Sequence, residues 1–195
     1  MRRFAAASFA LLTTLLAAQS PVPQTPAPAP QPPASMISPS RPVAKGNAPG
    51  MTFKLLHEGA GERVYTIIFS TGDEVISGLT DFALQHHIAD AHFTAIGACD
   101  SALLAWFDIP QKSYRPIPVN EQTEVLSMTG DIAGFLGQPI VHAHSVLGRS
   151  DGSTRGGHTF ELHVNPTLEV FLTADDIPLG KKQDPGGLKL IDPTE

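Results

Sequence analysis

From residue 52 onward, short runs of apolar residues alternate with polar ones, and their period changes once. "FKLLHEGAGERVYTIIFS" predicts two strands around a glycine-rich turn at Gly59–Gly61, with β-branched and aromatic residues concentrated from Val64 to Phe69. In "STGDEVISGLTDFALQHHI", Val75, Ile76, Leu79, Phe82 and Ala83 fall on one helical face. Thr71 followed by Glu74 has the spacing of a capping box, so one helix is expected over about residues 73–87. The period then returns to that of a strand. "HFTAIGAC" and "SALLAWFDI" predict a strand pair joined near Asp100, and "TEVLSMTGDIAG" predicts another strand. "PIVHAHSVLG" and "GGHTFELHV" predict a hairpin about an Asp151-Gly152 turn, and "TLEVFLTA" closes the series. Strands outnumber helices and come in adjacent runs. That order favours an α+β fold, an antiparallel or mixed sheet with one main helix on its face.

The ends of the chain are built differently. "MRRFAAASFALLTTLLAAQS", residues 1–20, has two arginines, an apolar run and small residues at Ala17 and Ala18. This is the pattern of a secretory signal peptide, and the run is too short for a stable membrane span. It places the mature chain in the periplasm or outside the cell. Residues 21–50 are dense in proline and alanine and read as an extended, disordered linker. Residues 51–178 have the size of one domain, and residues 179–195, broken by Pro185, Gly186 and Gly187, read as a flexible tail. Cys99 is the single cysteine, which excludes an intramolecular disulfide, and its apolar neighbours predict a buried role. The net charge of −6, without a cluster of lysine or arginine, argues against nucleic acid as a partner.

Three histidines carry the candidate chemistry. His142 and His144 lie two apart on an expected strand, so they share a face, with about 6.6–6.8 Å between their Cα atoms. Such a pair can ligate one Zn²⁺. The third, His158, follows Gly156-Gly157. A two-residue turn at Asp151-Gly152 pairs Ser150 with Ser153 and, by extension, Ser145 with His158, which puts His158 on the opposite face from the other two. A three-histidine site therefore requires an irregularity, either a bulge at Gly156-Gly157 or a different loop length. His86 and His87 end the expected helix, where a cationic imidazole suits the dipole. His92 and His163 offer less, and His163 shares the parity of Glu161.

"GQPIVHAHSVLGRSDGSTRGGHTFELHVNPTLEVFLT" resembles the C-terminal half of the PPC (plant and prokaryote conserved) domain. "TEVLSMTGDI", and "DEVISGLTDFALQHHI" with "HFTAIGACDSALLAWFD", resemble its other parts, over about residues 62–175. The resemblance implies a twisted, mostly antiparallel sheet with helical packing, a homotrimer, and a metal site, zinc, held by His142, His144 and His158. Plant members carry basic AT-hooks before this domain. The leader here has none, its only basic residues beyond the signal being Arg41 and Lys45. Many members have leucine after the GGH motif, where this chain has Thr159.

The first functional reading is an exported, homotrimeric metal-binding domain. The alternative is a small metal-dependent enzyme with an open coordination position, in which Glu161 or Glu124 serves as general base. On strict alternation Glu161 faces away from His158. DNA binding, the third reading, is opposed by charge and by export. The sequence has no nucleophile elbow, phosphate loop or catalytic triad.

Overall fold

The computed structural model describes residues 35–194. The expected signal segment and residues 21–34 of the expected linker lie outside the described residues. Along the chain come β1 (Thr52–Gly59), β2 (Glu62–Ser70), α1 (Val75–Gln85), β3 (Asp90–Asp108), β4 (Ser113–Val119), β5 (Thr123–Phe135), β6 (Gln138–Gly148), β7 (Thr154–Asp175), β8 (Gly180–Gln183) and β9 (Lys189–Asp192). The architecture is the expected α+β one. Nine strands form one sheet, and every strand pairing is antiparallel except a parallel contact of β5 with β8.

Three long strands organise the sheet. β3 is one continuous strand of 19 residues, not a pair joined at Asp100. Bulges around Gly97, Cys99 and Ser101 bend it without ending it. Its first half lies between β5 and β7, and its second half between β4 and β7. β7 likewise runs unbroken through 22 residues where the pattern suggested two strands. β6 pairs with β5 on one side and with the start of β7 on the other. Strands β3, β5, β6 and β7 therefore close a circuit of pairings. β4 was not expected, because Pro116 and Pro118 interrupt its pattern. It sits at an edge, bonded to β3 and bridged at Tyr114 to Ile37, where a missing N–H is tolerated.

The inner face of the curled sheet and one stripe of α1 make the core. Tyr65, Leu172 and Phe93 form one cross-strand row, and Ile67, Val170, Ala95 and Met128 the next. They meet Val75, Ile76, Leu79, Phe82 and Ala83 of the helix, all buried. Cys99 is fully buried, its thiol 3.1 Å from Thr123 Oγ1. The helix is shorter than expected at both ends, and Thr71 is not its cap. Glu74 is the N-cap, and its carboxylate accepts from Ile76 N at 3.0 Å and Ser77 N at 2.7 Å. The same carboxylate accepts from Leu162 N at 3.1 Å, which fastens the start of the helix to β7. At the other end, the Arg63 guanidinium donates to His86 O at 3.1 Å. His86 packs among Phe53, Tyr65 and Phe82, and burial, then Arg63 and His87, lower its pKa. Its ring thus packs beside the core as an aromatic partner, and the expected cationic cap is supplied by Arg63.

Ordered structure extends beyond 51–178 at both ends. Asn47 O accepts from Glu74 N at 2.8 Å, and Gly50 N donates to Asp73 Oδ1 at 2.8 Å. The stretch expected as a flexible tail forms the β8–β9 hairpin, and the Lys181 side chain is only 1% exposed. The strands are four residues each and are tied to the domain by the bond from Gly134 N to Leu179 O at 2.8 Å and by the Lys181–Asp131 ion pair, which alternation cannot announce.

Backbone contact explains one of the paired glycines. A Cβ on Gly157 would lie 2.5 Å from Ala105 O, where β3 crosses close to β7. At Gly156 the nearest atom would be 3.3 Å away. Gly157→Ala is therefore expected to lower stability by about 1–3 kcal/mol in urea unfolding, and Gly156→Ala by clearly less.

Candidate metal centre

The histidines meet because of the β6–β7 loop. Gly152 N donates to Arg149 O, and Arg149 N to Ser153 O, both at 2.9 Å. Gly152 has φ +80°, so the loop is a three-residue one, Ser150-Asp151-Gly152, closed by a left-handed glycine. Asp151 reinforces it by accepting from Ser153 N at 2.9 Å and Ser153 Oγ at 2.6 Å. This loop is one residue longer than the expected Asp-Gly turn, which shifts the register by one. Ser145 pairs with Gly157, and His144 pairs with His158. The ladder is regular through Gly156 and Gly157, so the irregularity lies in the turn and not in a bulge at the glycines.

The three imidazoles converge on the outer face of the sheet. One nitrogen from each of His142, His144 and His158 lies within 4.8 Å of the others. The ring centroids are 5.2, 5.2 and 5.5 Å apart. Nitrogens sharing one tetrahedral zinc stand about 3.3 Å apart, from bonds of ~2.0–2.1 Å. Small side-chain rotations bridge that difference. Buried His158 Nδ1 has no hydrogen-bond partner among the described residues, an orphan that a bound cation would satisfy. Burial, then the neighbouring His142 and His144, lower the His158 pKa to about 3, and burial followed by His142 lowers that of His144. Both rings are neutral near pH 7, the state that ligates a metal.

A second layer orients these rings. Asp131 is the direct cross-strand partner of His142, and its Oδ2 lies 3.2 Å from His142 Nδ1. An ionised carboxylate only accepts, so the proton is assigned to Nδ1 and the lone pair to Nε2. Lys181 Nζ donates to Asp131 Oδ1 at 2.5 Å. Burial alone would raise the Asp131 carboxyl, but the hydrogen bonds and charges of His142 and Lys181 prevail and hold it below the ordinary range. Tyr114 stacks on His158 at 4.7 Å and 26°, with Phe160 edge-on at 4.8 Å. On the inner face Thr159 is buried, and its hydroxyl lies 2.8 Å from Ser145 Oγ. The threonine in place of leucine thus has a hydroxyl partner on the neighbouring strand, and it points away from the histidines.

The other expected candidates are placed elsewhere. A register shift between Leu103 and Leu104 puts an extra residue, Phe160, into β7 and reverses the parity beyond it. Glu161 therefore shares the face of His158, contrary to strict alternation, but its carboxylate is bound by Arg41 and lies 3.7 Å from His163 Nε2. Glu124 is paired with Gly148, four residues along β6 from His144 and about 13 Å away along the strand. His92 is on the far side of Asp131 from His142. Asp131 and Lys181 were missed. A signal for Asp131 existed, because the two-residue turn at Leu136-Gly137, with φ of 50° and 75°, sets 131 opposite 142. No local signal exists for Lys181.

Fold and site together define an antiparallel α+β domain that gathers three imidazoles on a sheet face beside a carboxylate. The profile of the Plants and Prokaryotes Conserved (PCC) domain matches residues 56–175, and the chain belongs to this family. Solved structures agree. A Pyrococcus horikoshii plant- and prokaryote-conserved (PPC) protein is 27% identical over 72% of this chain and 94% of its own, with a TM-score of 0.64. A protein from Archaeoglobus fulgidus described as metal-containing is 27% identical over 72% of this chain and 98% of its own, with a TM-score of 0.63. One from Bacteroides thetaiotaomicron, provisionally described as DNA-binding, is 25% identical over 74% and 99%, with a TM-score of 0.67. A comparison with curated proteins found no match.

The buried neutral His158 gives the site a pH signature. Its folded pKa of about 3 lies below the unfolded value near 6.5. The unfolded chain thus binds the extra proton between these values. Stability from this group is complete above pH 6.5 and is lost as pH falls toward 3. Urea unfolding of the chelator-treated chain is expected to lose about 1–2 kcal/mol more in the wild type than in His158→Asn between pH 7.5 and pH 5.

Proposed function

We propose that this chain is an exported, homotrimeric domain that binds one zinc ion per protomer through His142, His144 and His158. The observation that carries the reading is the convergence of three nitrogens from these residues, with one buried nitrogen unpartnered. Zinc is the ion of choice because the donor set is three imidazoles, which suits a tetrahedral borderline ion. When bound it would supply a Lewis acid with a fourth position for water or a ligand. The chain's own residues hold the geometry. Asp131 and Lys181 fix the tautomer and plane of His142, while Tyr114 and Phe160 pin the His158 ring.

Export rests on the signal pattern of residues 1–20. Among the described residues no helix is long and apolar enough to cross a membrane. The trimer draws support from exposed apolar side chains on the long strands, where Ile96 of β3, Leu126 of β5, Val146 of β6 and Phe171 of β7 are 60%, 53%, 42% and 54% exposed. Large exposed apolar faces of this kind mark interfaces. Nucleic acid is not a partner in this reading, because the charge of −6 opposes phosphate binding. Binding without catalysis is favoured over an enzyme, since Glu161 is already engaged by Arg41 and His163.

Elemental analysis of the purified chain is expected to find one zinc per protomer, lost in His142→Ala and in His158→Ala. A wild-type chain without stoichiometric metal refutes the reading. Asp131→Asn, checked for folding by circular dichroism, should weaken zinc binding by about 10–100-fold, measured by competition with a chromogenic chelator. Light scattering is expected to give three times the chain mass.

A further inference from the structure

A cleft opens where β6 and β7 diverge. They pair from His144 and His158 outward to Gly148 and Thr154. On the other side of this point β6 pairs with β5 alone, and β7 turns to β3. The helix residues Ile76, Thr80 and Leu84 line the gap, the segments Pro39–Val43 and Leu188–Leu190 wall it, and His142 and His158 border it. The cleft's volume is about 390 Å³. That is at the low end of small-molecule sites, ~300–1,000 Å³. At a water's share of ~30 Å³, it holds roughly a dozen non-hydrogen atoms.

The charge of this chamber is opposite to that of the chain. The whole sequence has 19 acidic against 13 basic residues. The chamber's 21 lining residues include Arg41, Lys45 and Lys189 and no aspartate or glutamate. Arg41 is engaged by Glu161. Lys45 and Lys189 make no ion pair among the described residues. The remaining surface is mainly apolar, from Val43, Ile76, Leu84, Ile140, Phe160 and Leu190. Lys189 Nζ also lies 5.5 Å from the centroid of the Phe135 ring, and both outer walls and both lysines lie outside residues 56–175, so the chamber is made by this chain's own flanking segments and not by the family domain alone.

We infer that this chamber binds a small amphipathic carboxylate, with an apolar chain of about eight carbons among the aliphatic side chains and its carboxylate drawn by Lys45 and Lys189. Long lysine stems extend the apolar wall while their ammonium groups stay hydrated, which suits such a ligand. The inference does not depend on a bound metal, since the walls and the lysines are independent of the imidazoles.

The test is calorimetric titration of the full, chelator-treated chain with octanoate, 1-octanol and octylammonium. Octanoate is expected to bind about fivefold more tightly than octanol, the scale of one or two partly exposed charge contacts, and octylammonium more weakly than octanol. The double variant Lys45→Met/Lys189→Met should bring octanoate and octanol to equal affinity while leaving octanol unchanged. Leu84→Trp, checked for folding by circular dichroism, should abolish binding of both. The inference is overturned by three results: no octanoate binding at millimolar concentration, octanol binding as well as octanoate, or a preference for octanoate that survives in the lysine variant. Titration of His142→Ala separates the two readings. Loss of zinc with octanoate binding retained fails neither, whereas loss of octanoate binding there returns the ligand to the imidazoles and overturns the role given to the lysines.

Discussion

The pairing of His144 with His158 across the β6–β7 ladder is the constraint on which the rest of the site depends. A strand turns its side chains to alternate faces, so a shift of one residue moves a whole set of side chains to the other side. The three-residue loop Ser150-Asp151-Gly152 decides that parity. Asp151 is favoured there because its carboxylate satisfies Ser153, and Gly152 because only glycine takes φ +80° without strain. Two glycines before the third histidine then let the strands close up, and Gly157 gives room to the Ala105 carbonyl.

Around this pairing the fold places charge in layers. His142 is opposite Asp131, and Asp131 is held by Lys181 from a hairpin about fifty residues further along the chain. The ion pair satisfies a carboxylate that burial would otherwise disfavour. The same hairpin and the segment before β1 wall the adjoining chamber, which His142 and His158 border. The helix contributes less to chemistry than to position. Its capping residue Glu74 is bonded to Leu162, just beyond the bulge at Phe160, and this holds α1 against β7 beside His158.

Much of this was legible in the sequence. The change of period at Val75 marked the helix, and the adjacent strand patterns marked an antiparallel sheet. The motif of two spaced histidines and a later glycine-glycine-histidine marked the candidate ligands. What escaped was non-local. β3 and β7 read as broken because bulges and a proline interrupt alternation, yet pairing with neighbours on both sides keeps each strand continuous. Glu161 was put on the wrong face because one bulged residue reverses parity. Lys181 looked like part of a loose tail because a four-residue strand has no pattern of its own.

The sequence by itself determined the helix, most of the strand segments and which side chains could bind a metal, since these follow from residue type and local spacing. It also determined that a regular two-residue hairpin would separate the histidines. Only the tertiary structure decided that they meet, because parity is set by how many residues the turn absorbs and not by the histidines. Tertiary structure alone also decided which groups surround them, because Asp131, Lys181 and Tyr114 arrive from three other strands. Contacts between residues distant in sequence depend on register and closure, and no local spacing encodes either.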